Sequence, residues 1–251
     1  MITRHKLHLV VLAILLSFNA VVAQAGGVEQ DARALEVLKQ MAAHKSTLDQ
    51  VTIKGVTFTD ARLGGGLMVS NSEEVRISID RPGSMHIGSF DGETKKSLYF
   101  HKGQLTVYNS TRNLYAQAGI PDDIDAAAEF ALEELDIEAP LLDMIYKDAS
   151  VHLLGSDETI LYLTDKARVG GTDCHHLAIR GAEVDVQLWV EEGDRPVARK
   201  IMIVSKWEGG SPRFTANFDW DTSPEFEPGL FEFRAPKDAI KIEFVTESSE
   251  R

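Results

Sequence analysis

Apolar residues recur at two different periods along the chain. From Glu29 to about Gln50 they lie three and four positions apart, which predicts one amphipathic helix with an apolar stripe. The stripe consists of Ala32, Leu35, Leu38, Met41 and Ala42. After Gln50 the period changes to two, which is typical of strands with one buried face. A helix therefore precedes a sheet onto which its stripe can pack.

Alternation of apolar and polar residues covers 51–58, 75–79 and 97–101. Turn residues at 102–103 and 111–113 separate the segments 98–100, 105–108 and 114–118, which predicts an antiparallel meander.

A helical insert follows the meander. Acidic residues in the segment 121–125 precede the helix-forming run 126–135. Carboxylates at this position stabilise the N-terminus of a helix. A second short helix is predicted from Pro140 to Tyr146, with proline in its first turn. Its side chains are almost all apolar, so we expect this insert to cover an apolar surface.

Strand-like segments then resume, separated by glycine-containing turns at the spacing of an all-β meander. They are 159–166, 173–180, 184–191, 197–207, 213–220 and 230–233. The order of helix, strands, helical insert and strands predicts an α+β fold in which one curved antiparallel sheet carries an N-terminal helix and a helical lid.

The N-terminus has the three parts of a secretory signal peptide. Arg4 and Lys6 precede the apolar stretch 7–16, and small residues follow, with cleavage acceptable after Ala23 or Ala25. The apolar stretch is shorter than the roughly 20 residues of a spanning helix. We therefore expect residues 1–25 to be removed on export, leaving a chain without stable membrane insertion.

Composition limits the partners and the domain count. The 251 residues carry a formal net charge of -13, which disfavours nucleic acid because its binding depends on Lys and Arg at phosphates. We expect residues 26–245 to form a single domain and residues 246–251 a polar tail. Cys174 is the only cysteine, so no internal disulfide forms.

Motifs of catalysis or metal binding are weak. In a strand, Cys174 and His176 share one face while His175 points to the other, and no further ligands stand at zinc-site spacing. The carboxylates Glu191, Glu192, Asp194, Asp219 and Asp221 lack the spacing of a calcium loop. Gly64–Gly66 precedes a strand and indicates a hairpin loop. The sequence therefore predicts no enzyme, no metal and no cofactor.

Apolar strand and helix faces are the remaining candidate site. A packed core explains their periodicity, but a curved sheet closed by helices can also enclose an apolar cavity suited to acyl chains. The candidate cavity residues are Ile77, Ile79, Leu98, Phe100, Val107, Phe130, Leu141, Met144, Val186, Leu188, Val190, Ile203, Phe214, Phe218 and Trp220.

Several segments together resemble a family of predicted periplasmic bacterial proteins of unknown function. The segments are 96–100, 114–116, 173–179, 186–191, 193–201, 214–216 and 218–221, and the resemblance extends from about Glu29 to Phe244. That family is similar to the lipoprotein localisation factor (LolA/LolB-like) fold. The resemblance implies an α+β fold in which a strongly curved antiparallel β-sheet forms an incomplete β-barrel, with an N-terminal helix and a helical lid over an apolar cavity that holds acyl chains.

These expectations lead to a periplasmic, non-enzymatic carrier or binding protein for a lipid or the acyl chain of a lipoprotein. One alternative is an envelope regulatory or scaffolding protein that has a filled core and binds another protein through its sheet or lid. Another is an exported hydrolase that uses Cys174 or the histidines.

Overall fold

The computed structural model describes residues 31–135, 137, 141–147 and 160–244. The predicted signal peptide and polar tail lie outside these ranges. The helices are α1 (Ala32–Ser46), α2 (Ile124–Leu135) and α3 (Leu142–Ile145). The strands are β1 (Gln50–Arg62), β2 (Met68–Asp80), β3 (Ser84–Phe90), β4 (Lys95–His101), β5 (Gln104–Asn109), β6 (Leu114–Gly119), β7 (Ile160–Val169), β8 (Thr172–Arg180), β9 (Val184–Glu191), β10 (Ala198–Ser205), β11 (Arg213–Asp221) and β12 (Ile240–Lys241).

The strands follow the hydrogen-bonded order β12-β6-β5-β4-β3-β2-β1-β11-β10-β9-β8-β7. Neighbours from β2 to β6 and from β7 to β11 pair antiparallel, whereas β12 pairs with β6 in parallel. The order has two ends, so the described strands form an open sheet. The predicted combination of a mostly antiparallel sheet with helices is therefore confirmed.

The chain divides into two compact units. Unit 1 comprises Met1–Thr47, Thr57–Asn71 and Asp148–Phe218, and unit 2 comprises Leu48–Val56, Ser72–Lys147 and Asp219–Arg251. The long strands β1 and β2 each contribute residues to both units. That residues 26–245 form a single domain stays a prediction.

Unit 1 contains α1 and the strands β7 to β10. The side chain of Asp31 accepts a hydrogen bond from the Arg33 backbone N–H at 2.9 Å and caps the start of α1. Four apolar residues on one stripe of α1 are buried, and α1 contacts β7. They are Ala34, Val37, Leu38 and Met41. Three of the four are large apolar side chains, which fill the space beneath the helix.

Unit 2 contains the meander β3 to β6 with α2 and α3. One face of the meander is apolar and buried, with Met85, Ile87, Phe100 and Leu105 in cross-strand positions. The buried residues of α2 are Ile124, Ala127, Ala128 and Ala131. Helix α2 thus presents three small side chains where α1 presents large ones.

Three segments differ from the prediction. Strands β3 and β12 were not predicted, and β12 pairs in parallel with β6. The predicted strand 230–233 is wrong: Gly229 has a φ of 83°, and the backbone N–H groups of Leu230 and Glu232 donate to the carbonyls of Glu227 and Gly229. Consecutive turns therefore use the backbone groups that a strand would offer to a neighbour.

The glycine run 64–66 forms the tight turn between β1 and β2. The backbone N–H of Leu63 donates to the Leu67 carbonyl at 2.8 Å, and Gly65 adopts a φ of 78° that favours glycine. The predicted hairpin loop is confirmed.

Candidate functional site

An apolar pocket lies in unit 2 between the meander and α2; we call it the α2 pocket. Its lining side chains come from β3, β4, β5, α2 and two flanking positions, and all are apolar. They are Met85, Ile87, Leu98, Phe100, Leu105, Ile120, Ala127, Ala128, Ala131 and Ile137. The alanines create the space because their side chains end at Cβ.

The α2 pocket is small in this conformation. The centre of a water-sized sphere can occupy about 10 Å³ of it, which is roughly the space that one water molecule requires. An acyl chain of many methylene groups needs far more room. Such a ligand does not fit the pocket in this conformation.

Arg81 holds the helical segment of unit 2 in place. Its Nη1 donates to Asp125 Oδ1 at 2.9 Å, and its Nη2 donates to the Ile145 carbonyl. The other Asp125 oxygen accepts from the Lys147 backbone N–H at 3.0 Å. The Arg81 side chain is only 9% exposed, so these charge-assisted bonds are shielded from water.

The backbone beside Arg81 adds a further contact, because the Ile124 N–H donates to the Pro82 carbonyl at 3.0 Å. The turn between β2 and β3 therefore holds the start of α2 and the end of α3 at one point. We call the contacts of Arg81 with Asp125 and Ile145 the Arg81 latch. Sequence reasoning missed it, since no local pattern shows which arginine reaches two helices distant in sequence.

The candidate residues predicted in unit 2 occupy several environments. Leu98 and Phe100 line the α2 pocket. Ile77, Ile79 and Met144 are buried, while Val107, Phe130, Leu141 and Trp220 are partly exposed. Six pocket positions from β3, β5 and α2 were not predicted: Met85, Ile87, Leu105, Ala127, Ala128 and Ala131. The alternation of Met85 and Ile87 and the alanine run were the available signals.

The remaining candidates lie in unit 1. Val186, Leu188, Val190 and Phe218 are buried, and Ile203 and Phe214 are partly exposed. Cross-strand pairing places Leu188 opposite Ile201 and Val186 opposite Ile203. These residues belong to a packed sheet face of unit 1. Their contact with a ligand stays a prediction.

The cysteine–histidine triplet lies on β8. Cys174 is buried, and burial, followed by the charge of Glu191, raises the pKa of its thiol above the usual value. A raised pKa disfavours the thiolate that acts as nucleophile. His176 stacks on Trp189 with ring centroids 4.3 Å apart and shares a hydrogen bond with Gln187. Both side chains are thus engaged in packing.

Three of the clustered carboxylates have partners. Glu191 pairs with Arg199 at 2.7 Å and Glu192 with Lys166 at 3.1 Å, while Asp221 accepts from the Ser223 backbone N–H. In the part of the chain that the structure describes, no group of three or more His, Cys, Asp or Glu side chains is arranged to hold a metal ion. Within the same ranges, no helix has the length and apolar character needed to cross a membrane.

The sequence matches the model of one protein family. The family described as Predicted periplasmic protein (DUF2092) matches residues 34–245, so the chain belongs to it. Both the predicted family resemblance and the predicted periplasmic location are thereby confirmed. No curated protein matches the sequence.

Solved structures provide more distant likenesses. LprF from Mycobacterium bovis is 10% identical, with a TM-score of 0.50, and the match covers 81% of this chain and 99% of LprF. An uncharacterized conserved protein from Thermus thermophilus is 12% identical, with a TM-score of 0.48 and coverage of 84% and 99%. A LolA superfamily protein from Nitrosomonas europaea is 10% identical, with a TM-score of 0.37 and coverage of 80% and 97%. At such identities the likeness to LprF shows a shared fold only.

Proposed function

We propose that this member of a periplasmic family is a non-enzymatic binding protein that holds an acyl chain of a lipid or lipoprotein in the α2 pocket. The observation that carries the proposal is the wholly apolar pocket between the meander and the three alanines of α2. In this proposal α2 and α3 act as the lid predicted from the sequence, and the structure is the closed conformation.

The energetics favour an acyl chain over a polar ligand. Each buried methylene contributes about 0.8 kcal/mol, so a chain of a dozen methylenes supplies roughly 10 kcal/mol before the costs of association and lid opening. Among the described residues, those that line the pocket include no charged or hydrogen-bonding side chain that would orient a polar ligand. Affinity would come from burial, and selectivity from the length and shape of the chain.

The Arg81 latch supplies the element that resists opening. Breaking it exposes a guanidinium and two acceptors to water, which limits the net cost because all three are then solvated. Opening is therefore feasible when the burial of a ligand offsets it. A single chemical change at Arg81 should alter how readily the lid opens without changing the pocket walls.

The experiment is the uptake of a fluorescent fatty acid by the wild-type protein and two pairs of variants. Ala128→Leu places a longer side chain in the pocket, and Ala126→Leu makes the same change on α2 outside the pocket lining. We expect Ala128→Leu to weaken binding at least tenfold and Ala126→Leu to leave it within about twofold, since roughly 1.4 kcal/mol corresponds to a factor of ten.

The second pair tests the latch. Arg81→Met should accelerate uptake in a stopped-flow measurement, whereas Arg112→Met, an exposed change in the turn between β5 and β6, should not. Circular dichroism establishes that each variant is folded. A folded wild-type protein that takes up no fatty acid, and carries no acyl species when isolated from the periplasm, would refute the proposed function.

A further inference from the structure

The chain after β11 is held loosely against unit 2. We call residues 222–244 the strap; apart from the two residues of β12, it contains no helix or strand. No residue from 219 to 244 is buried. Segments with so little buried surface open at low free-energy cost, well before the whole protein unfolds.

One side chain of the strap has a well-defined site. Phe233 lies among Tyr99 of β4, Tyr108 of β5 and Tyr115 of β6, with ring centroids 5.5, 5.3 and 5.1 Å away. All three pairs are tilted, and their centroid distances lie within the roughly 4.5–7 Å range of interacting aromatic pairs. We call the three tyrosines the aromatic box.

The aromatic box is on the sheet face opposite the α2 pocket. Tyr99 lies between Leu98 and Phe100 of the pocket wall on the same strand, and successive strand residues point to opposite faces. The meander thus has an apolar face covered by α2 and an aromatic face covered by the strap.

The second attachment of the strap uses backbone atoms. The N–H groups of Ile240 and Ile242 donate to the carbonyls of Asn113 and Tyr115 at 3.0 and 2.8 Å, which adds β12 in parallel to the edge of β6. The side chains of Ile240 and Ile242 are 61% and 46% exposed. Pairing of this kind tolerates many sequences, as in peptides that add a strand to a sheet edge.

We propose that the aromatic box and the edge of β6 form a docking site for an extended peptide segment of a partner protein, and that the strap occupies this site as an intramolecular ligand. The partner segment carries an aromatic side chain for the box and pairs in parallel with β6. The chemistry of the resident segment identifies the chemistry of the partner. This site is separate from the α2 pocket, so the inference does not depend on the proposed function.

A polar atom next to the box favours an incoming segment with a hydrogen-bonding group. The ring of His86 lies 4.6 Å from that of Tyr99, and its Nε2 is buried without a hydrogen-bond partner among the residues that the structure describes. Buried polar atoms without partners are rare in native proteins and raise the free energy of the state that contains them. A partner segment that brings a hydrogen-bonding group within reach of this atom, or admits water to it, would lower that free energy.

The strap competes with an external peptide for the docking site. Because it belongs to the same chain, its effective concentration sets how much it weakens binding of the peptide. An intramolecular segment has an effective concentration of roughly millimolar, and a competitor binds with an affinity reduced by the fraction of open sites. Removing the Phe233 ring should therefore strengthen binding of an external peptide at least tenfold.

The test uses the full-length protein and a fluorescein-labelled peptide with the sequence of residues 226–244. Phe233→Ala empties the box, and Phe231→Ala removes a ring from the same strap that packs on Phe226 instead. By fluorescence anisotropy we expect the peptide to bind Phe233→Ala at least tenfold more tightly than wild type or Phe231→Ala. A peptide with alanine in place of Phe233 should not bind the Phe233→Ala protein. A peptide with tyrosine at this position should bind it at least as tightly as the original peptide.

Hydrogen exchange of the wild-type protein covers the case in which Phe233→Ala fails to fold. We expect the amides of Ile240 and Ile242 to exchange faster than those of β4 and β5. The proposal would be overturned if the strap amides exchanged only when the whole protein unfolds. It would also be overturned if a folded Phe233→Ala protein bound no peptide. If the wild-type protein formed a dimer and Phe233→Ala did not, the site would bind a second copy of this chain. That outcome would overturn the assignment to a partner protein.

Discussion

Helix α1 in unit 1 and helix α2 in unit 2 both bury one stripe of side chains, yet the two stripes produce different interiors. Helix α1 buries Val37, Leu38 and Met41, whereas α2 buries Ala127, Ala128 and Ala131 together with Ile124. Large side chains fill the space beneath α1. Small ones leave the α2 pocket, whose walls are otherwise as apolar as any core.

The comparison shows that a helix covering a sheet can serve stability or binding, depending on the size of a few residues. A helix with large buried side chains and one with small buried side chains show the same hydrophobic period, because alanine and leucine are both apolar. What differs is the buried area per residue and the volume left over. Large side chains on the buried stripe stabilise the fold because they bury more apolar surface. A stripe of small side chains buries less, and a ligand that binds in the remaining space can stabilise the protein instead.

The largest expected effect is on the filled helix. Leu38→Ala in α1 should lower the free energy of unfolding by about 2–5 kcal/mol, because it leaves a cavity where the side chain is fully buried. Urea denaturation measures the change, and Leu35→Ala, at a partly exposed position of the same helix, is the control. A loss no larger than that of the control would mean that the space beneath α1 is not filled as described.

A second prediction concerns the pH dependence of unit 2 on the opposite side of the meander. Burial, and then the charge of Arg76, lower the pKa of His86 to about 4. The unfolded chain therefore binds the proton more readily than the folded chain between pH 6.5 and 4. Stability from this group is complete above about pH 6.5 and is lost as the pH falls to about 4, by at most about 3 kcal/mol.

Urea denaturation of wild type and His86→Phe at about pH 7 and about pH 5 isolates this contribution, since the carboxylates are common to both proteins. We expect wild type to lose more stability than the variant over this interval. Equal losses would show that His86 is hydrated in the folded protein, which would also weaken the inference of an unsatisfied Nε2 beside the aromatic box.

The smallest expected effect compares the two helices directly. Ala34→Val in α1 and Ala128→Val in α2 add the same two methyl groups at fully buried alanines. We expect Ala34→Val to cost about 1–3 kcal/mol through overpacking, and Ala128→Val to cost less, by about 1 kcal/mol or more, because the pocket receives the added volume. Thermal unfolding of both variants measures the difference, and equal costs would contradict the distinction between the two stripes.

Local patterns were sufficient for most elements. The periods of α1, α2, the meander β4 to β6, and strands β8 and β9 predicted their positions to within a few residues. The segment 230–233 failed because its apolar residues resemble a strand, while Pro228 and Gly229 start turns that consume its backbone groups. Strand β3 was not predicted, although Met85 and Ile87 alternate with polar neighbours.

What the sequence determined by itself was the class of protein: an exported, acidic chain with two amphipathic helices and many alternating strands, in a family of periplasmic proteins. Hydrophobic periods and charge are local properties, so they can be read along the chain. Only the tertiary structure decided that β1 lies between β2 and β11, that Arg81 joins the ends of α2 and α3, and that Phe233 enters the aromatic box. These depend on pairings between residues far apart in sequence, and on volumes that no periodicity encodes.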